Sequence, residues 1–154
     1  QKTILLRRNV FDNLAFPMVM DGYNKNEIFE KVNFYLKKFD IDKFKKISAR
    51  NLSGGLAQFV SFVRSIITEP DILILDEPFS NLDASLKDKI EKYLINHRSK
   101  RKIILVTHDL FQAQRLADEI ILMDKGSMVS KSINKKLINS KNVKVKAFLN
   151  RNYL

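Results

Sequence analysis

Two acidic side chains stand together where a short apolar run ends: Ile72-Leu73-Ile74-Leu75 is followed by Asp76, Glu77 and Pro78. Such a run reads as a strand buried on both faces of a parallel sheet. Ligands of these sheets collect at the carboxyl ends of the strands. Asp76 offers hard oxygens to a magnesium ion, and Glu77 can orient or deprotonate an attacking water. Successive side chains on a strand point opposite ways, so the two acids are expected to take different roles. A second apolar run, Ile103 to Val106, leads into Thr107-His108-Asp109. A histidine there can reach a phosphate served by the acids of a neighbouring strand. Upstream, Leu52-Ser53-Gly54-Gly55-Leu56-Ala57-Gln58 stands at the mouth of a helix. Ser53 can cap that helix, while the two glycines let backbone N–H groups approach a ligand. The unpaired donors and partial positive charge of a helix N-terminus suit a phosphate. Fourth is Ser80-Asn81-Leu82-Asp83, a turn into the next helix. Taken singly, the Ser-Gly-Gly turn and the Asp83 turn read as ordinary caps, and a strand-end histidine as structural. Their order along one chain is what carries the chemistry.

The elements that must hold these residues fall into two textures. Residues 24 to 68 read as helical. Ile28, Val32, Tyr35, Leu36 and Phe39 recur at helical spacing after a cap at Asn24 or Asn26. A second helix after Ser53 carries Leu56, Phe59, Val60, Val63 and Ile67 on one side, and Glu69-Pro70 ends it. From Pro70 onward strands and helices alternate. Ile72 to Leu75 is a strand, Asp83 caps a helix bearing Leu86, Ile90, Tyr93 and Leu94, and Ile103 to Val106 is a second buried strand. Leu110 to Ala117 is a short helix, Ile120 to Met123 a third strand, and Asp124-Lys125-Gly126-Ser127 a turn into an edge strand. This alternation predicts an α/β sheet. Residues 133 to 150 are weakly helical.

Composition narrows the classes. The 154 residues are 45% hydrophobic and 29% charged, which excludes disordered and collagen-like chains. There is no cysteine, so disulfide scaffolds, zinc clusters and cysteine nucleophiles are excluded. No apolar run approaches the roughly 20 residues that span a bilayer, and a cytoplasmic location is expected. The net charge is +11, and residues 125 to 154 hold eight basic side chains and no acid. That tail reads as a solvated lysine-rich surface rather than a nucleic-acid site, since few aromatics interleave it to stack on bases.

Together, the four motifs resemble those of the ATP-binding subunits of ABC transporters. Leu52 to Gln58 is similar to the family signature, Ile72 to Glu77 to the Walker B strand with its catalytic glutamate, Ser80 to Asp83 to the D-loop, and His108 to the switch histidine. Gln1 stands where the family places the Q-loop glutamine. The resemblance implies a partial P-loop NTPase (RecA-like) parallel sheet with an inserted α-helical signature subdomain. Its parts would be a helical subdomain over about 8–68, an α/β core over 70–132 and a basic tail over 133–154. It implies ATP and Mg²⁺ as cofactors, with Ser53, Gly54, Gly55, Gln58 and Asp83 on the nucleotide side. Asp76 and Gln1 would serve the metal, and Glu77, His108 and Gln1 the catalysis. It also implies a homodimer that sandwiches two ATP molecules, docked on membrane permease subunits and served by a solute-binding protein. The location would then be peripheral, on the inner face of the cell membrane.

The sequence departs from the family in one large respect. A phosphate loop needs Gly-x-x-x-x-Gly-Lys-Ser/Thr, and the glycines at 22, 54, 55 and 126 never stand at that spacing. The chain is therefore expected to be the C-terminal part of an ATPase, inactive by itself. Phe59 follows Gln58 where the family commonly has arginine, and Phe62 stands where a small residue is frequent. Residues 5–16 and 107–119, with Ala147-Phe148-Leu149, are similar to importer subunits, most of all to tungstate and related oxyanion importers. Two alternatives are a nucleic-acid-associated ABC ATPase and a non-catalytic remnant that folds only with a partner.

Overall fold

The computed structural model describes residues 4–133 and Val145. Gln1, the tail from 134 onward apart from Val145, and the Ala147-Phe148-Leu149 ending lie outside the described residues. Contacts divide the chain into two compact units, residues 1–104 and 105–154.

In the first unit, helix α1 (Val10–Met20) is capped by Asn9, whose side chain accepts from the Asp12 N–H. This helix lies ahead of the expected ones, and Pro17 inside it reads locally as a stop. Its buried face, Val10, Leu14 and Met18, packs on α3. Asn13 is fully buried at its start. Its amide accepts from the Leu6 N–H and donates to the carbonyls of Leu6 and Asn9, which fastens the entering chain to the helix. Helix α2 (Lys25–Lys38) opens on a complete capping box, with Asn24 as the cap and Glu27 returning to the Asn24 N–H. That decides between the two expected caps. Its core face is the expected one: Ile28, Val32, Tyr35 and Leu36, continued by Phe39.

Helix α3 (Gly54–Ile66) buries Phe59, Val60, Phe62, Val63 and Ile66, with Ile67 just beyond it. The chain then turns through a left-handed Glu69 ahead of Pro70. Phe39 stands edge-to-face on Phe59 at 5.5 Å, and Phe62 edge-to-face on Tyr93 at 5.6 Å. An aromatic cluster thus joins the end of α2, the middle of α3 and helix α4 (Ala84–His97). The family departures at Phe59 and Phe62 belong to this core. Both rings fill it, and a charged or small side chain would leave the cluster unfilled.

Strand β1 (Ile72–Asp76) pairs with β2 (Lys102–Val106). The Lys102 N–H bonds the Asp71 carbonyl, so the two strands start side by side, as a parallel pair joined through α4 must. The α/β class with a parallel sheet is as expected, but the burial is not. Leu73 and Leu75 are buried, whereas Ile72 and Ile74 are 60% and 66% exposed. In β2, Ile103 and Leu105 are half-buried, and Ile104 and Val106 are exposed. An unbroken apolar run permits burial on two faces but does not supply the second covering layer, and the described residues cover one face only.

The second unit holds the short helix α5 (Leu110–Leu116), capped by Asp109, and an antiparallel pair, β3 (Glu119–Asp124) with β4 (Ser127–Ile133). The expected turn is a two-residue hairpin loop. Lys125 and Gly126 both have positive φ, as the tight turn between twisted strands requires. The third expected strand therefore pairs with its own hairpin partner. Leu110, Ile120, Leu122 and Val145 form the core of this unit.

Candidate functional site

The first unit brings three of the four motifs into contact. Ser53 caps α3, its hydroxyl accepting from the Leu56 N–H at 3.3 Å, so Gly54 and Gly55 are the first residues of the helix. The two glycines differ in their surroundings. A Cβ on Gly55 would lie 2.5 Å from the Asn81 carbonyl oxygen, so only glycine lets the turn after β1 lie this close to the helix. A Cβ on Gly54 would meet nothing within 4 Å. Among the described residues nothing requires glycine at 54.

One turn along α3, Gln58 reaches the same loop. Its amide donates to the Glu77 carbonyl and to the Ser80 hydroxyl, both at 3.0 Å. The Ser80 hydroxyl lies 3.0 Å from the same carbonyl, and the Ser80 N–H reaches it at 3.3 Å. Asp83 completes the turn by capping α4, its carboxylate accepting from the Leu86 N–H at 2.9 Å.

Asp76 ends β1 as an exposed carboxylate. Glu77 is the next residue and has already left the strand, with φ +47. The alternation expected of two neighbouring strand residues therefore does not govern this pair. Glu77 instead takes a left-handed backbone step. Beside them, an open cleft is lined by Gln58, Ser61, Arg64, Asp76, Pro78 and Ser80. Burial depresses the pKa of the Arg64 guanidinium, which donates to the Ile4 carbonyl at 2.9 Å.

No cluster of three or more His, Cys, Asp or Glu able to hold a metal is found among the described residues. Magnesium is commonly bound by one or two carboxylates together with substrate phosphates, and the exposed Asp76 carboxylate at the end of β1 is of the chemical type that could serve it. His108 lies in the second unit, exposed between β2 and α5, in a bend where the Asp109 N–H bonds the Thr107 hydroxyl at 3.0 Å. Gln1 lies outside the described residues.

Two contributors to the site carry no clear signal in the sequence. Ser80 reads only as part of a turn, and the Asn81 carbonyl, being backbone, has no signal in residue types. Gln58 stands in a recognisable motif, but its contact with Glu77 spans 19 positions and no local pattern encodes it.

Among known proteins, the model of the ABC transporter family matches residues 1–80. The tungstate uptake system ATP-binding protein of Peptoclostridium acidaminophilum is 38% identical over 128 residues, which are 82% of this chain and 60% of the relative. The maltose/maltodextrin import ATP-binding protein of Yersinia pestis is 37% identical over 122 residues, 78% of this chain and 33% of the relative. The sn-glycerol-3-phosphate import ATP-binding protein of Yersinia pestis bv. Antiqua is 38% identical over 120 residues, 77% of this chain and 34% of the relative. The chain thus spans between one third and three fifths of the length of these relatives. With its signature helix, acidic strand end and capped turn assembled in one unit, and with the family model matched over half its length, the chain belongs to the ABC transporter family.

Proposed function

We propose that this chain is part of the ATP-binding and ATP-hydrolysing subunit of an ABC importer. The observation that carries the reading is the joining of three motifs in one unit: Gly55 against Asn81, and Gln58 on Glu77 and Ser80. Phosphoryl transfer asks mostly for positioning and charge neutralisation, and these residues are of the types that supply it. In the proposed mechanism two subunits sandwich two ATP molecules. The cap of α3, with Ser53, Gly54 and Gly55, donates backbone N–H groups to the γ-phosphate bound on the opposite subunit. Glu77 orients the attacking water and accepts its proton, while His108 contacts the γ-phosphate. Asp83 and its turn relate one site to the other, and Gln1 stands at the water and the link to the permease. Asp76, with water molecules, would hold Mg²⁺, which would neutralise phosphate charge when bound.

The 154 residues contain no phosphate loop, and we place it in the part of the relatives' length that this chain does not span. Residues 8–68 would form the signature subdomain and 70–132 the α/β core. Among the described residues no helix is long and apolar enough to cross a membrane. From the similarity to import ATP-binding proteins, we place the subunit peripherally on the inner face of the cell membrane beneath a permease. For the transported solute we favour tungstate or a related oxyanion, supported by the 38% identical tungstate-uptake relative. Reconstitution of the complete ATPase with its permease and solute-binding protein tests this. Tungstate should stimulate ATP turnover, and stimulation by maltodextrin or glycerol phosphate instead would reassign the solute.

A further inference from the structure

We propose that Gln58 is a positioning residue for Glu77: its side-chain amide, with the Ser80 hydroxyl, holds the Glu77 carbonyl in the left-handed backbone step that places the Glu77 carboxylate. The proposal rests on the ATPase reading above and deepens it.

Two local preferences oppose the observed conformation of Glu77. A residue with a Cβ is disfavoured at φ +47, because its Cβ crowds the following carbonyl oxygen. A residue before proline is pushed toward extended backbone, and Pro78 follows. By itself, Glu77 would continue the extended course of β1 and carry its carboxylate elsewhere. Strained backbone of this kind persists only where its surroundings over-determine it. Here the surroundings are identifiable. The Glu77 carbonyl has donors in the Gln58 amide, the Ser80 hydroxyl and the Ser80 N–H. The amide comes from a rigid source, since α3 is fixed at its start by the Ser53 cap and by Gly55 lying against Asn81. Gln58 is half-buried, so water competes poorly for its amide. Only the NH₂ end of the side chain can serve a carbonyl. A glutamate of the same shape cannot, and would set its own oxygens against that acceptor.

The test uses the complete ATPase and compares Gln58→Glu, Gln58→Ala and Ser80→Ala, each checked for an unchanged thermal midpoint. Gln58→Glu should lower kcat at least tenfold while KM for ATP stays within twofold, and Ser80→Ala should lower it less. In a Glu77→Gln background, Gln58→Glu should cause no further loss, because nothing remains to be positioned. An unchanged kcat in Gln58→Glu would overturn the proposal, as would a rise in KM matching the fall in kcat, which would make Gln58 a nucleotide contact. A full additional loss in the Glu77→Gln background would overturn it too. Absence of turnover in the unmodified protein would instead overturn the ATPase reading itself, and the positioning role with it. Should Gln58→Glu unfold, Gln58→Ala carries the same comparison.

Discussion

Glycines 54 and 55 are neighbours in the sequence and opposites in their surroundings. Gly55 is required by the chain itself, because any side chain would collide with the backbone carbonyl of Asn81. Gly54 is a helix N-terminal residue with open space around it and no left-handed φ. Alanine at 54 therefore meets no steric obstacle among the described residues. We expect Gly54→Ala to leave the thermal midpoint unchanged or slightly raised, and to weaken ATP-driven association of the complete protein, seen by sedimentation with Mg-ATP. Gly55→Ala should lower the midpoint as well, since backbone must shift to admit it. Equal stability effects at both positions would contradict this division. The motif is legible in residue types; which glycine serves the fold and which is left for a ligand is not, because the difference lies in the carbonyl of a distant residue, Asn81.

Among the elements, α3 is the hub. Its apolar face joins an aromatic cluster with Phe39 and Tyr93, and Gly55 in its first turn and Gln58 one turn on meet the loop after β1. Truncating the fully buried Phe59 removes an edge-to-face partner and leaves a cavity. Phe59→Ala should cost about 3–5 kcal/mol, measured as the shift of the urea unfolding midpoint, and a loss below about 1 kcal/mol would contradict the cluster's role. A polar tie braces the same region: Lys31 pairs with Glu69 at 3.1 Å, and the Tyr35 hydroxyl donates to Glu69 at 3.3 Å. The Lys31 hydrogen bond holds the Glu69 carboxyl below its usual range, despite some burial that pushes the other way. A carboxyl depressed in the folded state gives stability above its unfolded pKa, and that stability is lost as pH falls through the folded value. Glu69 is largely exposed, so the effect is that of a surface pair, under about 1 kcal/mol. Lys31→Met should flatten the acid limb of the stability profile by that amount, and an unchanged limb would show the pair to be energetically idle.

Helical spacing makes the faces of α2, α3 and α4 readable, because apolar residues recurring every three or four positions line one side of a helix. Asn24 separates from Asn26 only where Glu27 closes the capping box. The strands mislead for a physical reason. Ile72 and Ile74 belong to an unbroken apolar run, yet they face outward, because residue type records what a face tolerates and not what covers it. Helix α1 is hidden in the sequence because Pro17 argues locally against a helix that packing on α3 sustains.

For the molecule as a whole, a chain without a phosphate loop joins a family whose chemistry needs one. Three motifs assembled in the first unit, with the family match over residues 1–80, support that joining. Eight of the basic side chains lie beyond residue 124, where no acid offsets them. We expect no nucleic-acid role for this run, so ATP turnover of the complete protein should not depend on added DNA or RNA. In the proposed mechanism Glu77 activates water in the complete ABC ATPase, and the most direct measurement is the turnover of the Glu77→Gln variant of that protein with Mg-ATP. The expected result is a loss of at least a hundredfold in kcat, with ATP still bound and the subunits held as an ATP-loaded dimer. Turnover at the level of the unmodified protein would contradict it.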